Sequence, residues 1–226
     1  MSATAGTLAP ASGPRRSASL RPRTEAKRAR IIDAAMRHFA EHGFESARIS
    51  DIADELGIAK GSIFQHFGTK DGLFFEVYKR ATRSFSPYLN VPAEVRQAGF
   101  FEILRYWLAR TEHFVHEDWI PYRIYLLGNY GTNLSLKREI NRFLISEDPY
   151  GRVEFVRWGL QRGELRKDLD VEVIVSIVDW MVERFQDALV TEELDPGLFR
   201  RQGAPAEKKE ARINQFLDIL RRAIGK

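Results

Sequence analysis

The sequence predicts an all-α protein: a small N-terminal three-helix unit followed by a larger helical body. Three observations carry this. From Thr24 onward, apolar residues recur three and four apart, the spacing of a helix face. Glycine and proline interrupt that pattern at intervals of about one helix length. No segment alternates apolar and polar residues over a strand length, no hairpin signal joins two such segments, and no internal repeat is visible.

The elements follow in order. Thr24 reads as an N-cap with Glu25 in the first turn, and Ile31, Ile32, Ala35, Met36, Phe39 and Ala40 share one helix face that Gly43 ends. A short helix is expected at about 49–56, with Ile49, Ile52, Ala53 and Leu56 inward and Gly57 as its stop. A third covers roughly 60–67, and Thr69 caps a longer one running to about 84. Residues 93–116 are apolar nearly all round in their middle, so this helix should lie inside the body. Residues 119–130 form a segment entered through Pro121, and 134–162 are helical with a break at Pro149. Gly163 and the charged stretch 164–170 make a loop before a helix at 171–192 that is apolar on most sides. Pro196, Gly197, Gly203 and Pro205 mark a loop at 194–206. The last helix, about 207–224, carries the stripe Ile213, Phe216, Leu217, Leu220 and Ile224.

Composition sets outer bounds. The chain has 226 residues, 44% apolar and 29% charged, enough for one large domain or two modest ones with a sizeable core. The absence of cysteine excludes disulfides, cysteine-ligated zinc and a thiol switch. No run of about 18 apolar residues suggests a membrane span. Residues 1–23 hold no acid and no periodicity, and read as a disordered basic arm. This is a solvated tail or one whose Arg15, Arg16, Arg21 and Arg23 brush DNA. The arm lacks the apolar core of a secretory signal, so a cytoplasmic protein is expected.

The net charge of +4 is unevenly placed. Residues 1–70 hold 11 Lys and Arg against 7 Asp and Glu, whereas 71–226 hold 24 of each. A basic unit on a neutral body points to an anionic partner at one end, with nucleic acid the first candidate.

Two short helices meet at Gly57 with Ile58–Lys60 between them, which is helix-turn-helix geometry. In this arrangement the first helix crosses the DNA backbone and the turn presents the second to the major groove. Ile63 and Phe67 should pack inward, while Lys60, Ser62, Gln65 and His66 project outward. Gln65 can bond adenine bidentately, and Lys60 can reach guanine or phosphate. Gly61 allows close approach of the backbone, and Lys70 opens the next helix as a phosphate clamp.

The ordered set Ile32, Ala35, Phe39, His42-Gly43-Phe44, Asp51-Ile52-Ala53, Leu56 through Phe67, Thr69-Lys70-Asp71 and Leu73 resembles the DNA-binding domain of the tetracycline-repressor (TetR-like) family. The resemblance covers about a fifth of the chain, Ile31–Phe75. Three positions depart from the family pattern: Phe64 stands where tyrosine is common, Arg48 where a threonine cap is usual, and Ala59 where a serine often caps. Phe64 can stack on the sugar-phosphate wall, and Arg48 exchanges a cap for a phosphate-seeking cation.

The resemblance implies about nine helices, a helix-turn-helix domain at 24–70, and a ligand-binding and dimerisation domain at 71–226. It implies a homodimer, here through the helices at about 171–192 and 207–224, on a palindromic double-stranded DNA operator. It also implies a small effector that releases the DNA, so a repressor is expected. A ligand-independent DNA-binding regulator or an activator stands as the alternative.

Inward-looking aromatics in the body suggest a pocket for a largely apolar or aromatic effector, lined by Tyr106, Trp107, Phe114, Trp119, Tyr122, Tyr125, Phe143, Phe155, Trp158 and Trp180. Arg123 and Asn129 are polar residues in an otherwise apolar segment, either anchors for a ligand's carboxylate or amide or residues facing solvent. His113 and His116 are three apart, but no third ligand is placed, and no metal or cofactor is expected. No Gly-rich phosphate loop and no organised Ser/His/Asp set is present, so no catalytic residue is assigned and an enzyme is not expected.

Overall fold

In a computed structural model the described residues are 20–191, 194 and 206–226. Residues 1–19 of the expected arm, and most of the expected 194–206 loop, lie outside them. The helices are α1 (Leu20–Ser46), α2 (Ile49–Leu56), α3 (Lys60–Phe67), α4 (Lys70–Ser84), α5 (Ser86–Leu89), α6 (Ala93–Ala98), α7 (Phe100–Glu117), α8 (Trp119–Tyr130), α9 (Leu134–Glu147), α10 (Arg152–Gln161), α11 (Val171–Val190) and α12 (Ala206–Ile224). The described residues hold no strand, only an isolated bridge between Leu165 and Gly225.

Helix α1 starts at Leu20, four residues before the expected cap at Thr24. Pro22 sits in its first turn, where a missing N–H breaks no helical bond. Gly43, at φ 75, interrupts the helix where the sequence places its end. The expected 93–116 helix is split at Gly99. There the backbone takes φ 116, and a Cβ would lie 2.4 Å from the Glu164 carboxylate, which accepts from Phe100 N at 2.7 Å. Only glycine fits both the dihedral and the close approach.

The first core is built by α1 to α4, through Phe39, Ile52, Ile63, Leu73, Phe74 and Tyr78. It continues into the body through Ile124 of α8 and Leu136 and Ile140 of α9. Helix α4, just past the boundary expected at residue 70, packs against α1 on one side and α8 on another. A second core joins α7, α10, α11 and α12 through Phe100, Leu104, Ile174, Phe185 and Leu220. The chain end is pinned to the α10–α11 loop by Arg166 N to Ile224 O at 2.9 Å and Lys226 N to Glu164 O at 3.0 Å. A third cluster is mostly aromatic and joins Phe85, Phe114, Tyr122, Tyr125 and Leu126.

Candidate DNA-reading face and interior cavity

The turn between α2 and α3 is set by Gly57 in the left-handed region at φ 63. Its N–H donates to Asp54 O at 3.1 Å, and that of Ile58 to Ala53 O at 3.0 Å, closing the helix end. Neither Arg48 nor Ala59 caps the following helix with a side chain. No side chain therefore caps the first turns of α2 and α3, where the Asp51 and Ser62 N–H groups bond back to the Arg48 and Ala59 carbonyls.

Ile63 and Phe67 are buried, as the spacing requires. Lys60, Gly61, Phe64, Gln65 and Arg48 are exposed and form one outward face. Ser62 and His66 are only half-buried and partly engaged. Lys27 Nζ of α1 donates to Ser62 Oγ at 2.7 Å, and Arg28 Nη1 to the His66 carbonyl at 3.1 Å. The Lys70 ammonium turns back onto the protein, donating to Glu45 O at 3.0 Å and lying 4.9 Å from the Phe44 ring centre.

Sequence reasoning missed Arg28, which also pairs with Glu76 of α4 at 2.7 Å and covers the Phe67 ring at 4.5 Å. Its contacts staple α1, α3 and α4 together. The signal was a basic residue on the flank of the first amphipathic face, one turn before Ile31.

A cavity of about 210 Å³ lies between α7, α8, α10 and α11. Of the predicted lining residues, Trp107, Phe114, Tyr122, Tyr125 and Phe155 are on its wall. The others are not on that wall, and each has a different place. Phe143 packs edge-on against Phe75 at 5.9 Å, in the contact between α4 and α9. Trp158 sits behind Phe155, and Tyr106 beneath the Arg110 guanidinium. Trp119 is 51% exposed with Arg123 over its ring, and Trp180 is 69% exposed. Helical spacing gives a face but not which neighbour that face meets.

The wall also recruits Phe85 and Tyr88 from the end of α4 and from α5, and Tyr150 from just before α10. It also holds polar groups: Arg152, and Asp179, Glu183 and Gln186 of α11. The signal for these was a row of acids, Asp179, Glu183 and Asp187, four apart on an otherwise apolar helix.

The acids differ in what satisfies them. Asp179 pairs with Arg152, which also faces Asp148 at 3.7 Å. Asp187 is fully buried and accepts from Tyr122 at 2.9 Å, Tyr130 at 2.7 Å and Tyr125 at 3.3 Å. Burial raises its pKa despite these three phenols. Glu183 accepts from Tyr125 Oη and, at 3.1 Å, from Asn129 Nδ2. Burial, helped by the neighbouring charges of Asp179 and Asp187, outweighs the Tyr125 bond and lifts its pKa to about 7.

Asn129 in turn accepts from Tyr78 Oη at 2.9 Å. A continuous hydrogen-bonded path thus runs from α4, through α8, to the cavity wall on α11. Gly128 makes room for it, since a Cβ there would lie 2.5 Å from the Tyr78 ring.

An outward helix-turn-helix with an exposed Lys/Gln face, carried on an all-helical body with an interior cavity, defines a DNA-binding regulator. Residues 31–77 match the family model described as bacterial regulatory proteins, tetR family. The chain is 26% identical over 171 residues to the HTH-type transcriptional repressor AcnR of Corynebacterium glutamicum, covering 76% of this chain and 86% of that one. It is 36% identical over 93 residues to the HTH-type transcriptional activator FasR of Mycolicibacterium smegmatis, covering 41% and 39%. The fold is similar to that of the transcriptional regulator FadR from Bacillus subtilis in complex with stearoyl-CoA, at a TM-score of 0.59 and 22% identity over 85% of this chain and 96% of that one. Residues 31–77 thus match a tetR-family DNA-binding domain, and the chain is similar over most of its length to helix-turn-helix transcriptional regulators. No helix of the described residues is long and apolar enough to cross a membrane, and none of their His, Asp and Glu side chains group as a metal site.

Proposed function

We propose that this chain is a repressor that holds a palindromic operator as a homodimer and lets it go when a small, largely apolar molecule fills the cavity. The observation that carries this is the course of α4. Its first residue, Lys70, follows the recognition helix α3 by two residues, and Phe85, directly after its last residue, lines the cavity. A ligand that moves Phe85 or loosens Tyr78 shifts α4, and with it the orientation of α3.

Each half of the dimer would set Lys60, Gln65 and Phe64 against the major groove, with Arg48 and the uncapped helix starts on phosphates. Half-sites roughly 34–36 Å apart are then needed, one helical turn of DNA. The exposed Trp180, Val173 and Ile219 on α11 and α12 support a dimer interface there, since large apolar side chains of this kind are costly in water. AcnR, a named repressor, supports the sign of regulation. FasR, a named activator, favours the second reading, and the position of the operator relative to the promoter decides between them.

The test is a selection of genomic fragments by the purified protein at two salt concentrations. A short palindrome recovered at both, bound by a dimer in light scattering, supports the proposal. Enrichment no better than salt-sensitive non-specific binding overturns it.

A further inference from the structure

The cavity combines an aromatic wall with one carboxylate that no cation satisfies. Both donors to Glu183, Tyr125 Oη and Asn129 Nδ2, converge on Oε1. Its second oxygen, Oε2, takes no hydrogen bond among the described residues, and Glu183 lies on the cavity wall. The cation beside Glu183 on the wall is already committed: Arg152 is held by Asp179, Asp148 and the Leu144 carbonyl. Arg110 also lines the cavity, but it is exposed and its guanidinium lies 5.3 Å from the centre of the Tyr106 ring. Arg184 lies over Tyr130 at 5.3 Å, on the Asp187 side.

Charge and surface therefore point the same way. An anionic head placed at Glu183 would meet that carboxylate with Asp179 and Asp187 one turn to either side. A protonated amine there would gain a charge-assisted bond to Oε2. It would also face the rings of Tyr125, Tyr150 and Phe85, whose negative π faces attract cations. Two further wall residues carry buried polar atoms, Tyr150 Oη and Trp107 Nε1, that have no hydrogen-bond partner among the described residues.

We infer that the cavity takes an organic cation, an amine on an apolar or aromatic body, with its nitrogen seated on Glu183 Oε2. This rests on the cavity being the effector site. The direct experiment compares three probes with one body and different heads: 4-phenylbutylamine, 4-phenylbutanol and 4-phenylbutyrate. Their binding to the full chain is followed by calorimetry, at a pH above the Glu183 transition, where Glu183 and the acid are ionised and the amine is still protonated. The amine should bind about ten- to a hundredfold tighter than the acid, the usual scale for a hydrogen bond to a buried charge. Glu183→Gln, which keeps the side-chain shape, should bring the amine down to the level of the alcohol and leave the alcohol unchanged. If the acid or alcohol binds as well as the amine, or the amine keeps its advantage in the Gln variant, the inference falls while the cavity stands as a ligand site. If none of the three binds, both the inference and the cavity reading fall.

Discussion

Tyr78 on α4 donates to Asn129 Oδ1 on α8 at 2.9 Å, and Asn129 uses its own Nδ2 to donate to Glu183 at 3.1 Å. A side chain fully buried behind the DNA-binding core is thus two hydrogen bonds from the cavity wall. Tyr78→Phe keeps the ring and removes only the link. It should cost about 1 kcal/mol of stability, the usual net value of such a bond. That corresponds to a fall of roughly 2–4 °C in Tm for a chain of this size. Operator affinity without ligand should change little. Ligand-driven release, of order 5–150-fold for couplings of this kind, should shrink. Fluorescence anisotropy on labelled operator, with and without ligand, reads both. Unchanged release would place the coupling on another path, such as Phe85.

Gly128→Ala acts on the same contact from the other side. The new methyl would sit 2.5 Å from the Tyr78 ring, and both helices are backed by packed core. Overpacking of this sort costs about 1–3 kcal/mol. A lower urea midpoint with an unchanged slope is expected.

The outward face of α3 separates two kinds of DNA contact. Lys60→Ala should weaken binding to all sequences and reduce the salt slope by about one unit. Gln65→Ala should relax preference at one or two base pairs and leave the slope alone. Lys70→Ala, by contrast, removes a bond to Glu45 O and cover from Phe44, so its main effect should be on stability. Titrations across three salt concentrations, with parallel melting curves, distinguish these outcomes.

Glu183 makes stability depend on pH. Its pKa rises from 4.5 to about 7 on folding. The folded state therefore holds the proton more tightly, and stability falls as pH rises through that window. Above it, the chain carries the full cost of a buried charge flanked by Asp179, Asp187, Tyr125 and Arg152. Glu183→Gln should raise Tm on the alkaline side of the window, by roughly 2–4 °C per kcal/mol recovered. The difference should vanish towards the acid side. A constant offset at all pH values would count against a titrating Glu183.

Trp180 is 69% exposed on α11, beside Val173 on the same helix and with Ile219 on α12. Trp180→Glu puts a charge where the dimer seam is proposed and disturbs no buried contact. Light scattering should show a shift from dimer to monomer at micromolar concentration, with loss of operator binding and an unaltered helical spectrum.

The local elements were legible because their signals are local. The stops at Gly43 and Gly57, the cap at Thr69 and the inward pair Ile63 and Phe67 follow from dihedral freedom, hydrogen-bond geometry and helical period. Each needs only a few neighbouring residues to decide it. Arg48, Lys60 and Gln65 could be placed outward for the same reason, because a short helix with one buried face leaves the other to solvent. The short helix α5, and the split at Gly99 that separates α6 from α7, escaped this reading. Gly99 is fixed by the Glu164 carboxylate, which approaches from 65 residues further along the chain.

The sequence by itself determined that this is an all-helical chain with a basic helix-turn-helix at its front, since apolar period, turn chemistry and charge placement are written residue by residue. Only the tertiary structure decided which aromatics line the cavity. Trp107 and Tyr125 reach it while Trp180 and Trp119 face solvent, because a helix face has no meaning until another helix covers it. The same holds for Glu183, a glutamate like any other in the sequence. Folding places it among Tyr125, Asn129 and two further acids, in a medium that resists its charge.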